Sequence, residues 1–152
     1  MISPRVPIPT TRLALRLHHQ SDVYWLLSIH SRPDVARYLL ENPWSMRDAV
    51  HNVDQRVSKT DLDGEAGALA LVIEHKQVPI GDIEIWYSNR EQRLAEIGWT
   101  IDPKYGGRGL ATEAVRAGMR KEANFRQDWW NKGEWTDALA FAILASDFQA
   151  AR

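Results

Sequence analysis

Polar and apolar positions alternate along much of this chain, and the alternation lays out a sheet. Leu13, Leu15 and Leu17 alternate with Arg12 and Arg16, so residues 11–17 predict a half-buried strand. Residues 66–73 are apolar on both faces, the pattern of a central strand covered on two sides. Lys76-Gln77 turns the chain into 78–87, where Ile83, Ile85 and Tyr87 face one way and Asp82, Glu84 and Trp86 the other. A polar turn over 88–92 leads to 94–101, with Ile97, Trp99 and Ile101 opposed to Glu96, Gly98 and Thr100. Three strands so close in sequence predict an antiparallel meander.

The helical period appears between these runs. Asp22 stands where it can cap a helix reaching about Ile29, with Val23, Leu26 and Leu27 inward. Pro33 suits the first turn of a short helix ending near Tyr38, and Asn42-Pro43 breaks the chain. Ser45 and Asp48 form a capping box for a helix to about Ser58, with Met46, Ala49, Val50, Val53 and Val57 as its apolar stripe. Residues 61–64 read as a loop. Ala111, Ala114, Val115, Gly118 and Met119 share one helix face, unless Gly118 is the C-terminal cap. Residues 122–128 are ambiguous, and 129–133 contain a turn. Residues 137–146 are alanine-rich: propensity favours a helix, while Leu139, Phe141 and Ile143 allow a strand. The expected fold class is α+β (α/β layered), with a central sheet of about six strands. Four come from near 11–17, 66–74, 78–87 and 93–101, and two from 119–128 and 137–144.

At 152 residues the chain suits a single domain at 11–152, preceded by an extended arm at 1–10 that carries prolines at 4, 7 and 9. Nineteen basic and 20 acidic residues nearly cancel, which argues against broad attraction to nucleic acid or an anionic membrane. Cysteine is absent, so disulfides and thiolate metal sites are excluded. No apolar run of membrane-spanning length and no signal-peptide core occurs, and the expected location is cytoplasmic. The five histidines share no metal-binding spacing; His18-His19 is expected to end the first strand at the surface. Trp129, Trp130 and Trp135 are expected to form the seam of a terminal hairpin rather than the floor of a groove. Glu113 with Arg116, and Glu122 with Arg126, read as ordinary helix-surface pairs.

One stretch carries chemistry. Asp102-Pro103 closes an apolar strand; glycines follow at 106, 107 and 109, and a helix opens near Arg108 to Leu110. Glycines let a backbone adopt angles that a Cβ forbids and let a ligand come close. The first helical N–H groups have no internal partner, and the helix dipole and Arg108 add positive charge. This combination predicts an anion pocket.

From Asp102 to Ala114 the sequence closely resembles the acyl-CoA loop of the GCN5-related N-acetyltransferases. Residues 96–100 before it are similar to that superfamily's fourth strand. Residues 11–16, 33–38, 118–123 and 132–137 resemble the branch that acetylates ribosomal-protein N-termini (RimJ/RimL-like). The resemblance implies an acyl-CoA N-acyltransferase-like fold with a mostly antiparallel sheet flanked by helices. It implies transfer of an acetyl group from the cosubstrate acetyl-CoA to a primary amine, a small amine or a protein N-terminus, by direct attack. It also implies cofactor binding by Thr100, Ile101, Asp102, Gly107, Arg108, Gly109, Leu110, Ala111 and Thr112, with an N–H of Thr100 or Ile101 polarising the thioester. Glu96 becomes a candidate base, the other reading being a solvated carboxylate. Asp82 and Glu84 become candidates for the amine side.

Two departures stand out. Gly106 occupies a place where the superfamily usually has glutamine or arginine. More importantly, residues 114–117 run straight into 118–119, whereas relatives insert a fifth strand and fourth helix there; a parallel crossover needs about a dozen residues or more. The chain reads as internally truncated. Two alternatives follow: a catalytically impaired remnant that folds or assembles without turnover, and an anion- or nucleotide-binding module using the glycine loop alone. An unpaired fourth strand invites pairing with another chain, so the tail hairpin either slides in beside it and closes the pantetheine gap, or exchanges between copies in a homodimer.

Overall fold

The alternating segments pair as their spacing demands. The computed structural model describes residues 6–117 and 120–142. It forms β1 (Ile8–Pro9), β2 (Leu13–Leu17), β3 (Thr60–Asp61), β4 (Ala68–His75), β5 (Val78–Asn89) and β6 (Leu94–Ile101) in one sheet of order β1-β2-β4-β5-β6, with β3 also on β4. Every described pairing is antiparallel. The meander of β4, β5 and β6 is as the alternation predicts. Lys76 and Gln77 both take positive φ, 50° and 65°, which matches the right-handed twist of the strands they join. Gly81 is required by a close approach: a Cβ there would lie 2.1 Å from the Thr100 carbonyl oxygen of β6.

Helices lie on both faces. α1 (Val23–His30) and α3 (Met46–Ser58) cover the face bearing Asp82 and Glu84, and α2 (Pro33–Ala36) follows α1. Ser45 and Asp48 make the predicted reciprocal cap on α3. Trp44, one residue earlier, packs with Leu26, Ala49 and Val53, a hydrophobic staple across the cap. Of the expected stripe on α3 only Ala49 and Val53 are buried; Met46 and Val50 are exposed. The other face carries Leu13, Leu15, Leu71, Ile73 and Ile83 and is covered by α4 (Leu110–Val115) through Leu110, Ala114 and Val115. Six helical residues do not cover that face, and an apolar cavity of about 350 Å³ opens beside Ala114 and Val115 over Leu69, Leu71, Ile83, Ile85 and Ile97.

Several local expectations are corrected. Asp22 does not cap α1; its carboxylate accepts from Arg16 at 2.8 and 2.9 Å, from the His19 N–H at 2.7 Å and from Trp25 Nε1 at 2.6 Å. Those bonds tie β2 to α1 more strongly than a cap would. His18 is buried against Trp25, not at the surface. Glu113 reaches back to the N-terminal segment instead of to Arg116. Glu122 and Arg126 lie on a strand, not a helix. The loop at 61–64 begins one residue late, because Thr60–Asp61 is β3. The arm is held at Ile8–Pro9, which pairs with Ala14 and Leu15.

The tail departs most. β7 (Arg120–Asn131) and β8 (Glu134–Ala142) are strands, against the helix propensity of the alanine-rich run, and join through Lys132 and Gly133 at positive φ. They form a separate two-stranded sheet and do not extend the central one, so the expected six strands are present in number but not in membership. The tail hairpin therefore does not pair with β6 among the described residues. Trp129, Trp130 and Trp135 are 55–57% exposed, neither a buried seam nor a groove floor, although Trp130 and Trp135 meet edge to face. The hairpin turn is tied to the region behind α2 by Arg37 with Glu134 and by Lys132 on the Ala36 and Glu41 carbonyls. The expectations for residues 1–5, for Gly118 and Met119 and for 143–146 lie outside the described residues. Among the described residues no helix is long and apolar enough to cross a membrane.

Candidate active site

β6 delivers the chain to the glycine loop. Asp102 donates its N–H to the Ile80 carbonyl at 2.7 Å, which keeps it turned toward β5. Alternation along an antiparallel strand then turns the Ile101 N–H to the outer edge of the sheet. Beyond β5, β6 has no strand neighbour among the described residues. The Asp102 side chain caps the 3₁₀ turn Pro103–Tyr105 by accepting the Lys104 N–H at 3.0 Å, and stands 3.7 Å from Arg32.

Gly107 and Gly109 take left-handed φ of 73° and 72°, and Gly109 is the N-terminal flank of α4 with no side-chain cap. Gly106 sits in extended backbone, so its identity is not forced by φ. Arg108 is exposed and lies over Tyr105 at 5.7 Å. Leu110 buries its side chain in the core, Ala111 is half-buried and Thr112 is exposed. A clamp from the N-terminal segment fixes this loop. Glu113 of α4 accepts from Thr10 Oγ1 at 2.6 Å, from the Arg12 N–H at 2.7 Å and from Arg12 Nε at 2.7 Å, while Arg12 Nη1 donates to the Arg108 carbonyl at 2.9 Å. The Thr10 hydroxyl first, and then Arg12, hold the Glu113 carboxyl at about 2, well below its ordinary value.

Two cavities meet at Thr100. One of about 320 Å³ is lined by His30, Glu41, Arg56, Asp82, Glu84 and Trp86 among others, and reaches Trp99 and Thr100. The other, about 510 Å³, runs past Tyr38 and Leu39 to Thr100, Ile101 and Pro103. Asp82 and Glu84 are brought together in the first, but neither is free: Asp82 Oδ2 accepts Arg56 Nε at 2.8 Å, and Glu84 is paired with Lys59. Burial would raise the Asp82 carboxyl; His30 and the Arg56 charge outweigh it and hold it below the usual carboxylate range. Glu96 is exposed on β6 across from Trp86 and lines neither cavity.

The sequence reading missed His30, Arg56 and Trp44. His30 could have been found: it continues the inner stripe of α1 one turn beyond Leu26, where an apolar residue is expected.

The model of the acetyltransferase (GNAT) domain matches residues 12–142, most of the chain. The chain belongs to the GNAT acetyltransferase family. Members of this family use acetyl-CoA. Among curated relatives, an uncharacterized N-acetyltransferase p20 of Bacillus licheniformis is 27% identical over 107 residues. That stretch takes in 70% of this chain, which spans only 60% of that relative's length. The uncharacterized N-acetyltransferase YnaD of Bacillus subtilis (strain 168) is 24% identical over 173 aligned positions, covering 93% of this chain and 98% of the relative. About thirty of those positions have no counterpart in this 152-residue GNAT chain. Of solved structures, RimL, the ribosomal L7/L12 alpha-N-protein acetyltransferase in complex with coenzyme A, shares the fold. Its TM-score is 0.64 at 17% identity, covering 88% of this chain and 95% of that one.

Proposed function

We propose that this GNAT domain transfers an acetyl group from acetyl-CoA to a primary amine. The observation that carries the reading is the continuity of β6 with the glycine loop: the outward Ile101 N–H, the left-handed bends at Gly107 and Gly109 and the start of α4 follow within ten residues. In this reading the N–H groups of Gly107, Gly109, Leu110 and Ala111 take the pyrophosphate, with Arg108 adding charge and Thr112 at the loop's end. Thr100, Ile101 and Asp102 border the pantetheine, and the Ile101 N–H polarises the thioester carbonyl. The amine enters through the cavity beside Asp82 and Glu84. A protein N-terminus is the acceptor favoured by the similarity of the flanking segments to the RimJ/RimL-like branch. Two copies pair through the edges that the shortened sheet leaves open.

A second reading is supported by the missing crossover, which removes one wall of the family's pantetheine gap: a catalytically impaired remnant that folds or assembles without turnover. Isothermal titration with acetyl-CoA and with CoA, followed by thiol release over a panel of peptide and small amines, tests both. Binding with turnover supports acetyl transfer, and binding without turnover supports the remnant. Heat absent at millimolar ligand defeats acetyl transfer and leaves the remnant.

A further inference from the structure

The cavity that reaches Thr100 is lined in part by a buried imidazole, that of His30. His30 closes α1 with its ring flat against Trp44, centroids 3.9 Å apart and planes 14° off parallel. Neither ring nitrogen has a hydrogen-bond partner among the described residues. Nε2 stands 3.6 Å from Asp82 Oδ1, and the other oxygen of Asp82 is held by Arg56, whose guanidinium also lies 5.2 Å over Trp44. A buried polar group without a partner costs stability, and an apolar side chain would pack against Trp44 without that cost. His30 borders the same cavity that Thr100 lines, and Asp82, beside its ring, is the partner of Thr100 in the β5–β6 register.

We infer that His30 accepts the proton that the acceptor's ammonium must lose, with Asp82 orienting the ring and Arg56 fixing Asp82. The inference rests on the acetyl-transfer reading and gives its acceptor side a base. The ammonium gives one proton to the His30 lone pair. The nitrogen pair thus released bonds to the thioester carbonyl carbon, and the carbonyl π pair moves to oxygen. That pair re-forms the carbonyl as the C–S bond breaks; the thiolate leaves with the bonding electrons and takes the second nitrogen-bound proton. His30 then returns its proton to water, so ammonium and thioester give amide, thiol and one proton.

The charges around the ring suit the role. Asp82 and Glu84 of β5 are matched by Arg56 of α3 and by Lys59, and His18 approaches from the end of β2. Among the carboxylates lining the cavity, only Glu41 is outside an ion pair among the described residues; it accepts from Trp44 Nε1. An incoming ammonium therefore meets little unpaired negative charge in the cavity, which favours its losing a proton there.

The test uses the full chain labelled with ¹⁵N-histidine, saturated with CoA and titrated with n-propylamine, the His30 signal being identified by its loss in His30→Gln. Parallel rates are measured with acetyl-CoA and the best amine of the panel. Expected are a shift of the His30 ring nitrogens with amine while those of exposed His51 stay put, and a loss of a hundredfold or more in kcat in His30→Gln. KM for acetyl-CoA stays within twofold, the acid limb of the kcat/KM profile disappears, and added imidazole recovers part of the rate in His30→Gly. Wild-type rate and pH profile in His30→Gln, at matched melting temperature, or ring nitrogens that ignore the amine, overturn the assignment alone. A wild type that binds CoA but acetylates no amine overturns the acetyl-transfer reading itself.

Discussion

At the scale of single residues, two kinds of position decide behaviour: glycines that hold a bend and buried groups that hold a charge state. Gly107 has nothing within 4 Å of where a Cβ would stand, and Gly109 has only Arg12 Nη2 at 3.7 Å, so alanine fits both in space. What alanine lacks is ease at φ near +73°, a strain of about 1–2 kcal/mol. Gly107→Ala and Gly109→Ala should each weaken CoA binding tenfold or more by titration calorimetry while shifting the melting temperature by only a few degrees. Arg108→Ala should cost less, and its cost should shrink as salt rises, since the exposed charge is screened. Equal CoA affinity in wild type and both glycine variants would place the pyrophosphate elsewhere. The buried groups speak through pH. Burial pushes His18 down to about 4 from 6.5, so the fold holds it neutral. The unfolded chain binds more protons between those values; the stability is complete above 6.5 and falls as pH drops toward 4, by about 3 kcal/mol. Asp22 adds a second, lower window. Burial opposes its ionisation, but the hydrogen bonds from Arg16, the His19 N–H and Trp25 prevail and hold it at about 2, so what it contributes above its ordinary 3.8 is lost as pH falls through 2. Urea unfolding at pH 7.5, 5.5 and 4.5 should show the first decline, and His18→Leu should flatten it. A wild-type free energy constant over that range would refute the assignment.

At the scale of elements, the strands and the capped helix were legible because alternation and capping are local. The alternation over 94–101 named both faces of β6 correctly, and Ser45 with Asp48 named the start of α3. What escaped had long-range causes. Asp22 looks like a cap in sequence because its competitor, Arg16, approaches only once β2 is paired. Glu113 looks like the partner of Arg116 because Thr10 and Arg12, its actual partners, are about a hundred residues away. Alternation tells which face a strand shows, never which sheet it joins, so β7 and β8 could be read as strands but not as a separate pair. At the candidate site, the loop was legible from its glycines, while the cleft at Thr100 was not, since His30, Arg56 and Asp82 come from three elements. The Glu113 clamp gives this scale its own prediction. Arg12→Ala removes the guanidinium bonds to Glu113 and to the Arg108 carbonyl, keeping the Arg12 N–H and Thr10 bonds to Glu113, and so loosens the loop between Gly106 and Gly109. It should weaken CoA binding severalfold and speed amide hydrogen exchange at residues 107–111 while exchange in β4 is unchanged. Unchanged exchange in the loop would show that the glycine turn holds itself.

At the scale of the whole molecule, the consequence of the shortened sheet is edges. Among the described residues β6 offers an eight-residue edge, and β7–β8 pairs with no other strand, a unit of marginal stability alone in water. The hairpin meets the body through its turn, at Arg37, Ala36 and Glu41, and leaves Phe125, Trp129, Trp130 and Trp135 more than half exposed. Exposed large aromatic side chains and an open strand edge each favour association of copies. The expected particle is a dimer of about 35 kDa, twice the 17.4 kDa chain. Light scattering after size exclusion at tens of micromolar measures this directly. Trp129→Lys with Trp130→Lys should return the chain to one copy, because two charges on the hairpin oppose its burial against a neighbour. The same double variant decides whether assembly and cofactor binding are coupled. If a neighbouring hairpin supplies the wall that the missing crossover would have supplied, CoA affinity falls with the dimer; if the pantetheine lies against β6 alone, affinity is kept in the monomer. A wild type that runs as a single 17.4 kDa particle at these concentrations, while binding CoA, would show that β6 needs no second copy.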